Sequence, residues 1–100
     1  DKSKKFDLIT ANILAQSLCD MAADAARSLQ PGGFLVLSGF YGHQVPQIIQ
    51  HHEAQNLKVY LLLTVNNQTQ VIEYHAPKNW NADEVFTSND WAAMIVQTGV

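Results

Sequence analysis

Charge is scarce in this sequence. Six basic and nine acidic side chains make up 15% of the 100 residues, where a soluble protein ordinarily carries about 25%. Nine Gln and seven Asn supply polar surface instead. A net charge of -3 removes the usual footprint of a nucleic-acid binder, because neutralising phosphates takes clustered Lys and Arg. Only Lys2, Lys4 and Lys5 cluster, at one end, so no direct nucleic-acid contact is expected. Cysteine is nearly absent. Cys19 alone cannot close an internal disulfide, and among small and apolar neighbours it reads as a buried thiol in a reducing, cytoplasmic setting. No apolar run approaches the roughly 20 residues that cross a bilayer, the longest being Val59 to Val65 with Thr64 inside it, and no signal-peptide core is present. No membrane partner is therefore expected. Metal-ligand spacing is missing too. On a helix His51 and His52 point about 100° apart, and His43 lies eight residues before His51. These three and His75 read as solvated or helix-end histidines, and no metal is expected.

What is present is apolar and ordered along the chain. A hydrophobic content of 47% at this length fits one domain and leaves no room for two cores. Residues 6–11 form a strand-length apolar run that ends at the turn former Asn12. Leu14, Leu18, Met21, Ala22, Ala25 and Leu29 recur at helical spacing and predict an amphipathic helix over 14–29. Arg27 in its last turn and Pro31-Gly32-Gly33 beyond it mark the stop. Residues 34–38 are apolar at successive positions, as in a strand covered on both faces, and Gly39 and Gly42 loosen the chain after them. A helix is predicted over 43–55, with Pro46 in its first turn, Val45, Ile48, Ile49 and His52 facing inward, and Asn56 closing it. Residues 57–65 read as a strand, and the Asn66-Asn67 turn leads to a candidate strand at 68–74, together a hairpin. From His75 to Asp90 the chain reads as a surface loop with one helical turn near Asp83 to Phe86, before a final strand at 91–97. A strand-like run so soon after Asp1 reads as a piece cut from a longer protein.

Strand, helix, strand, helix, strand is the order of an α/β fold with a parallel sheet and right-handed crossovers, with antiparallel additions at its C-terminal end. Open sheets of this kind bind ligands beyond the carboxyl ends of their strands. The turns after residues 11 and 38 are therefore where chemistry is expected.

The run Phe6-Asp-Leu-Ile-Thr-Ala-Asn-Ile-Leu14, an Ala-rich helix, and then Leu29-Gln-Pro-Gly-Gly-Phe-Leu-Val-Leu-Ser-Gly39 together resemble the second half of class I S-adenosylmethionine-dependent methyltransferases. Within that superfamily the chain is most similar to the family that methylates ribosomal protein eleven of the large subunit, whose fourth strand ends in the same Ala-Asn-Ile-Leu. The resemblance covers roughly residues 6–60, and Asp90-Trp-Ala-Ala-Met-Ile-Val96 resembles that family's closing strand. It implies the C-terminal half of a Rossmann-like methyltransferase sheet, a partial catalytic domain over 1–100. Residues 66–89 read as an insertion, leaving 68–74 and 91–97 as candidates for the antiparallel place inside the sheet. The resemblance favours 91–97. The family's glycine-rich cofactor loop and its ribose-binding acid are both missing from these residues. The resemblance also implies that removing the family's first strand leaves residues 6–11 as an open apolar edge, through which the isolated chain self-associates.

The activity so implied is in-line displacement of a methyl group from a sulfonium by a neutral amine, Lys or N-terminal, of a ribosomal protein, with S-adenosylmethionine as cofactor. Asn12 is the expected catalytic residue, its amide oxygen accepting hydrogen bonds from the amine and facing the cationic centre. Ala11 and Asn12 are expected on the cofactor, and Ser38, Gly39 and Phe40 on the substrate. Competing readings stand beside these. Asn12 suits a helix N-cap, and Phe40 and Tyr41 suit core against the following helix. Ser38-Gly39 lacks the Gly-x-Ser-x-Gly pattern of a nucleophile elbow. Trp80 marks either a partner surface or a lid on local core. At the level of the whole chain, the alternatives are a non-enzymatic binding or assembly module, and a class I methyltransferase acting on RNA or a small molecule.

Overall fold

The structure is a computed structural model that describes residues 5–65, 68, 71–75 and 90–99. Five strands, β1 (Phe6–Asn12), β2 (Leu29–Tyr41), β3 (Leu57–Val65), β4 (Val71–His75) and β5 (Trp91–Thr98), form one sheet in the order β1-β2-β5-β3-β4. β1 and β2 run parallel, while β5 runs antiparallel to both β2 and β3 and fills the place between them. That is the position favoured for residues 91–97. β4 pairs antiparallel with β3 at the far edge, completing the expected hairpin with a start at Val71. Three helices, α1 (Ala15–Asp20), α2 (Ala22–Ser28) and α3 (Val45–Glu53), supply the connections between β1 and β2 and between β2 and β3. The class is α/β. Residues 76–89, including Trp80 and the helical turn expected at Asp83 to Phe86, lie outside the described residues.

The helix stripe read from sequence folds as two helices. Met21 takes φ -91 and ψ -1 between α1 and α2, yet the N–H of Met21 still donates to Ser17 O and that of Ala25 to Met21 O. The bend therefore leaves one apolar face, with Leu18, Ala22, Ala25 and Leu29 buried. Leu14, counted in that stripe, is 75% exposed because it is the N-cap of α1. Arg27 in the last turn of α2 pairs with Asp24 in its first.

β2 starts at Leu29, well before the predicted Phe34. Leu29 is already extended, is buried, and pairs with Phe6, while Leu8 pairs with Phe34. The Pro31-Gly32-Gly33 reversal is thus a bulge within the strand. Gly32 has φ +78, and a Cβ on Gly33 would lie 2.9 Å from Gln30 O and 3.2 Å from Asp7 O. The second predicted helix also divides, into a 3-10 turn over Gly42–Gln44 and α3, with Pro46 in its first turn. Asn56 closes it with φ +61, a left-handed conformation Asn tolerates.

All three helices pack on one face of the sheet. There Leu35, Leu37 and Phe40 of β2, Ala92, Met94 and Val96 of β5, and Leu57 and Leu62 of β3 meet Leu18, Val45 and Ile48. Each large aliphatic side chain so buried contributes about 1.5 to 3 kcal/mol. Cys19 joins this core as a free thiol whose Sγ donates to Gln47 O at 3.6 Å, and burial followed by the nearby Asp20 charge pushes its pKa up. His43 and His51 are exposed, but His52 is fully buried. Among the described residues, no group of three or more His, Cys, Asp or Glu gathers as a metal site, and no helix is long and apolar enough to cross a membrane.

Candidate functional site

The carboxyl ends of β1 and β2 stop side by side. Asn12, the last residue of β1, pairs in register with Ser38 of β2, Ser38 pairs with Ala93 of β5, and Ala93 pairs with Leu63 of β3. Neighbouring strands lie about 4.8 Å apart, so this row spans roughly 14 Å. Because β5 is antiparallel, its first residues stand where β1 and β2 end. Trp91 therefore pairs with Tyr41 on one side and Val65 on the other, two residues further out than Ala93.

A cleft of about 450 Å³ opens over these rows. Asn12, Ser38 and Gly39 line its β1–β2 end, and Trp91, Ala93 and Leu63 line the rest together with Val65, Val71 and Ala92. None of these residues carries a formal charge, so a cation entering here meets amide, hydroxyl and ring dipoles and no competing ammonium or guanidinium.

Gly39 determines how Asn12 sits. Its φ is +93, and a Cβ built on it would lie 2.5 Å from Asn12 Oδ1 and 3.0 Å from Ile13 O. The Asn12 amide thus lies directly against the Gly39 backbone, in space no other residue type leaves open. Gly39 also sits at the irregularity between Ser38 and Phe40 in the β2–β5 register, which turns the strand away from the cleft floor.

Asn12 does not cap the helix that follows. The N-cap is Leu14, with φ -59 and ψ 149 and no side-chain capping bond, so the amide is left to the cleft. Ser38 and Gly39 line the cleft with it. Phe40, expected on the substrate, is fully buried in the helix-side core because the bulge at Gly39 shifts its phase. Its side chain therefore packs as the competing core reading has it and does not line the cleft. Ala11 is partly buried with its side chain against the same core, so only its backbone stands at the strand end.

Sequence reading did not single out Trp91. The signal was present in the alternation of residues 91–97, which puts Trp91, Ala93 and Ile95 opposite the buried Ala92, Met94 and Val96. Once that strand is antiparallel inside the sheet, its first residue must lie beside the ends of the parallel strands.

The chain is similar to ribosomal protein L11 methyltransferases of Chelativorans sp. (strain BNC1), 49% identical over 53 residues, and of Bradyrhizobium diazoefficiens, 46% over 52 residues. These matches take in 53% and 52% of this chain and 18% of each relative. The enzyme of Staphylococcus aureus (strain JH1) is 36% identical over 59 residues, which cover 59% of this chain and 19% of the relative. The chain thus matches about a fifth of the length of these relatives. Among solved structures, that of the M1.HpyAVI-SAM complex superposes with a TM-score of 0.64 at 19% identity, covering 98% of this chain and 47% of that one. That likeness shows the fold, a Rossmann-like α/β sheet. The profile described as Ribosomal protein L11 methyltransferase (PrmA) matches residues 1–66, which include β1, β2, Asn12, Ser38 and Gly39. The chain belongs to the ribosomal protein L11 methyltransferase family.

Proposed function

We propose that these residues form the acceptor side of an S-adenosylmethionine-dependent methyltransferase site that transfers methyl groups to an amine, Lys or N-terminal, of a ribosomal protein in the cytoplasm. The observation that carries this reading is the placement of Asn12 against Gly39 at the end of β1, in an uncharged cleft and inside the family-matched segment. The backbone approach at Gly39, which a Cβ would fill, and the amide and hydroxyl dipoles at the strand ends suit a compact cationic methyl donor. Asn12 and the backbone at Ala11 would hold the cofactor's methyl-bearing end. When bound, the cofactor supplies an electrophilic methyl group on a sulfonium.

The chain's own residues do the remaining work. Asn12 Oδ1 accepts hydrogen bonds from the acceptor nitrogen and fixes the direction of its lone pair, while Ser38 and the Gly39 backbone bound its approach. Such positioning alone supplies about 7 to 11 kcal/mol of barrier reduction. Leu63, Val65, Val71 and Ala92 exclude water, which favours the neutral amine over the ammonium by desolvation.

Asn12→Ala in a family-length protein carrying this segment tests the reading. Turnover is expected to fall roughly 100-fold, as when one preorganised polar partner of a transition state is removed, with the unfolding transition unchanged. Transfer at the normal rate would overturn the assignment. Calorimetry with S-adenosylmethionine on the 100-residue chain separates a half-site from a complete cofactor site. We expect no tight binding, since the sequence lacks the family's glycine-rich loop.

A further inference from the structure

Three aromatic rings stand in a column at the mouth of the cleft. The Tyr41 ring stacks on Trp91 with centroids 4.5 Å apart and planes 29° from parallel, and on His43 at 5.7 Å and 11°. The column is anchored by backbone. The Tyr41 N–H donates to Gln44 Oε1 at 2.9 Å, and the Gly42 N–H donates to Asp90 O at 2.9 Å, tying the turn after β2 to the start of β5. Trp91 is the outermost ring facing the cleft. It is 54% exposed although Tyr41 is stacked on it, and it belongs to the cleft lining, whereas Tyr41 and His43 do not. An exposed indole next to water is a cost the fold has not removed, and its backing by two further rings holds it at a fixed angle.

We infer that Trp91, backed by Tyr41 and His43, is a cation-recognising wall that receives the ammonium-bearing side chain of the acceptor before, and its methylated form after, transfer. The inference rests on the reading that the acceptor is an amine. An aromatic face attracts an ammonium through its quadrupole, most strongly for indole, and the attraction survives partial desolvation because quaternary and alkylated ammoniums are weakly hydrated. The uncharged lining adds no cation that would repel such a group. Trp91 lies two strands over from Asn12 and two residues further along, about 12 Å across the sheet, so the wall holds the ammonium on its way in and the methylated product on its way out, while the nitrogen is at Asn12 during transfer. Tyr41 is accordingly a positioning residue, acting through the Trp91 ring.

Heteronuclear NMR of the full 100-residue chain tests this. The two indole N–H signals, from Trp80 and Trp91, are assigned with Trp80→Phe. The chain is then titrated with N-acetyl-trimethyllysine amide and, separately, with its uncharged isostere in which carbon replaces the quaternary nitrogen. The Trp91 signal is expected to move saturably with the cation, with an affinity about 3- to 30-fold above that of the isostere. Tyr41→Phe, which keeps a stacked ring, should retain this preference, and Tyr41→Ala should reduce it. A Trp91 signal that moves equally with both probes or with neither overturns the inference, as does a preference unchanged in Tyr41→Ala. The titration involves no cofactor and no transfer. It can therefore fail while Asn12→Ala still abolishes methylation, or succeed when methylation of a ribosomal protein is not found.

Discussion

A methyl group added at Gly39 would sit 2.5 Å from the Asn12 amide oxygen and 3.0 Å from the Ile13 carbonyl, on a backbone whose φ of +93 already disfavours a side chain. Strain of this kind costs about 1 to 3 kcal/mol. We predict that Gly39→Ala lowers unfolding free energy by that amount and, because the amide is the movable partner, lowers methyl transfer beyond what the stability loss explains. Denaturant titration and a transfer assay on a family-length protein check both. A variant with wild-type transfer would show that Asn12 need not rest on the Gly39 backbone. Asn12 itself stood out in the sequence because a polar residue ends an apolar run and the following residues resemble a known strand end. Which face Phe40 takes was left open between substrate and core, since a one-residue bulge reverses the side chains after it and leaves no mark in composition. Trp91 stayed hidden for a related reason: its place depends on which of two distant segments enters the sheet.

At the level of the element, α3 carries a group whose titration is coupled to folding. His52 is fully buried in its last turn, its Nδ1 lies 2.7 Å from Ile48 O, and its Nε2 has no hydrogen-bond partner among the described residues. With Nδ1–H donating to that carbonyl, Nε2 is a bare acceptor inside the core. Burial lowers the His52 pKa from its ordinary 6.5, outweighing the bond to Ile48, which raises it, and His51 adds a smaller lowering. The folded state therefore holds the neutral ring, while the unfolded chain takes up a proton near 6.5. Stability is full above that pH and is lost as the pH falls below it. We predict a decline in the thermal midpoint between about pH 7.5 and 5 that is shallower in His52→Gln; parallel profiles would remove His52 as the cause. Inward-facing Val45, Ile48 and His52 were legible from helical spacing. The division of the first helix at Met21 was not, because the bend keeps the same apolar stripe on the same face and so preserves the pattern that predicted one helix.

For the molecule as a whole, the helices cover one face of the sheet and β1 pairs with β2 alone among the described residues. Phe6 and Leu8 on β1 are 44% and 57% exposed, and a groove of about 400 Å³ runs between this strand and α2. Apolar edge strands recruit other strands. We predict that the chain in isolation self-associates, giving a mass by light scattering above the 11.1 kDa of a monomer, and that Leu8→Lys weakens the association. A stable wild-type monomer at high concentration would contradict this. The α/β class was within reach of the sequence, because periodicity and crossover grammar limit the choices; the inner place of residues 91–97 was favoured by resemblance alone, and the length of β2 was not legible, since it is set by pairing with β1 across the bulge at Pro31-Gly32-Gly33. The position of β5 has one more consequence, for synthesis. The strand that joins β2 to β3 is made after both of them. At ordinary elongation rates about 1 to 5 s pass between the emergence of residue 65 and that of residue 91. Throughout that interval the inner edges of β2 and β3 face no partner of their own chain. Until that strand emerges, pairing with a foreign strand is the competing reaction open to both edges.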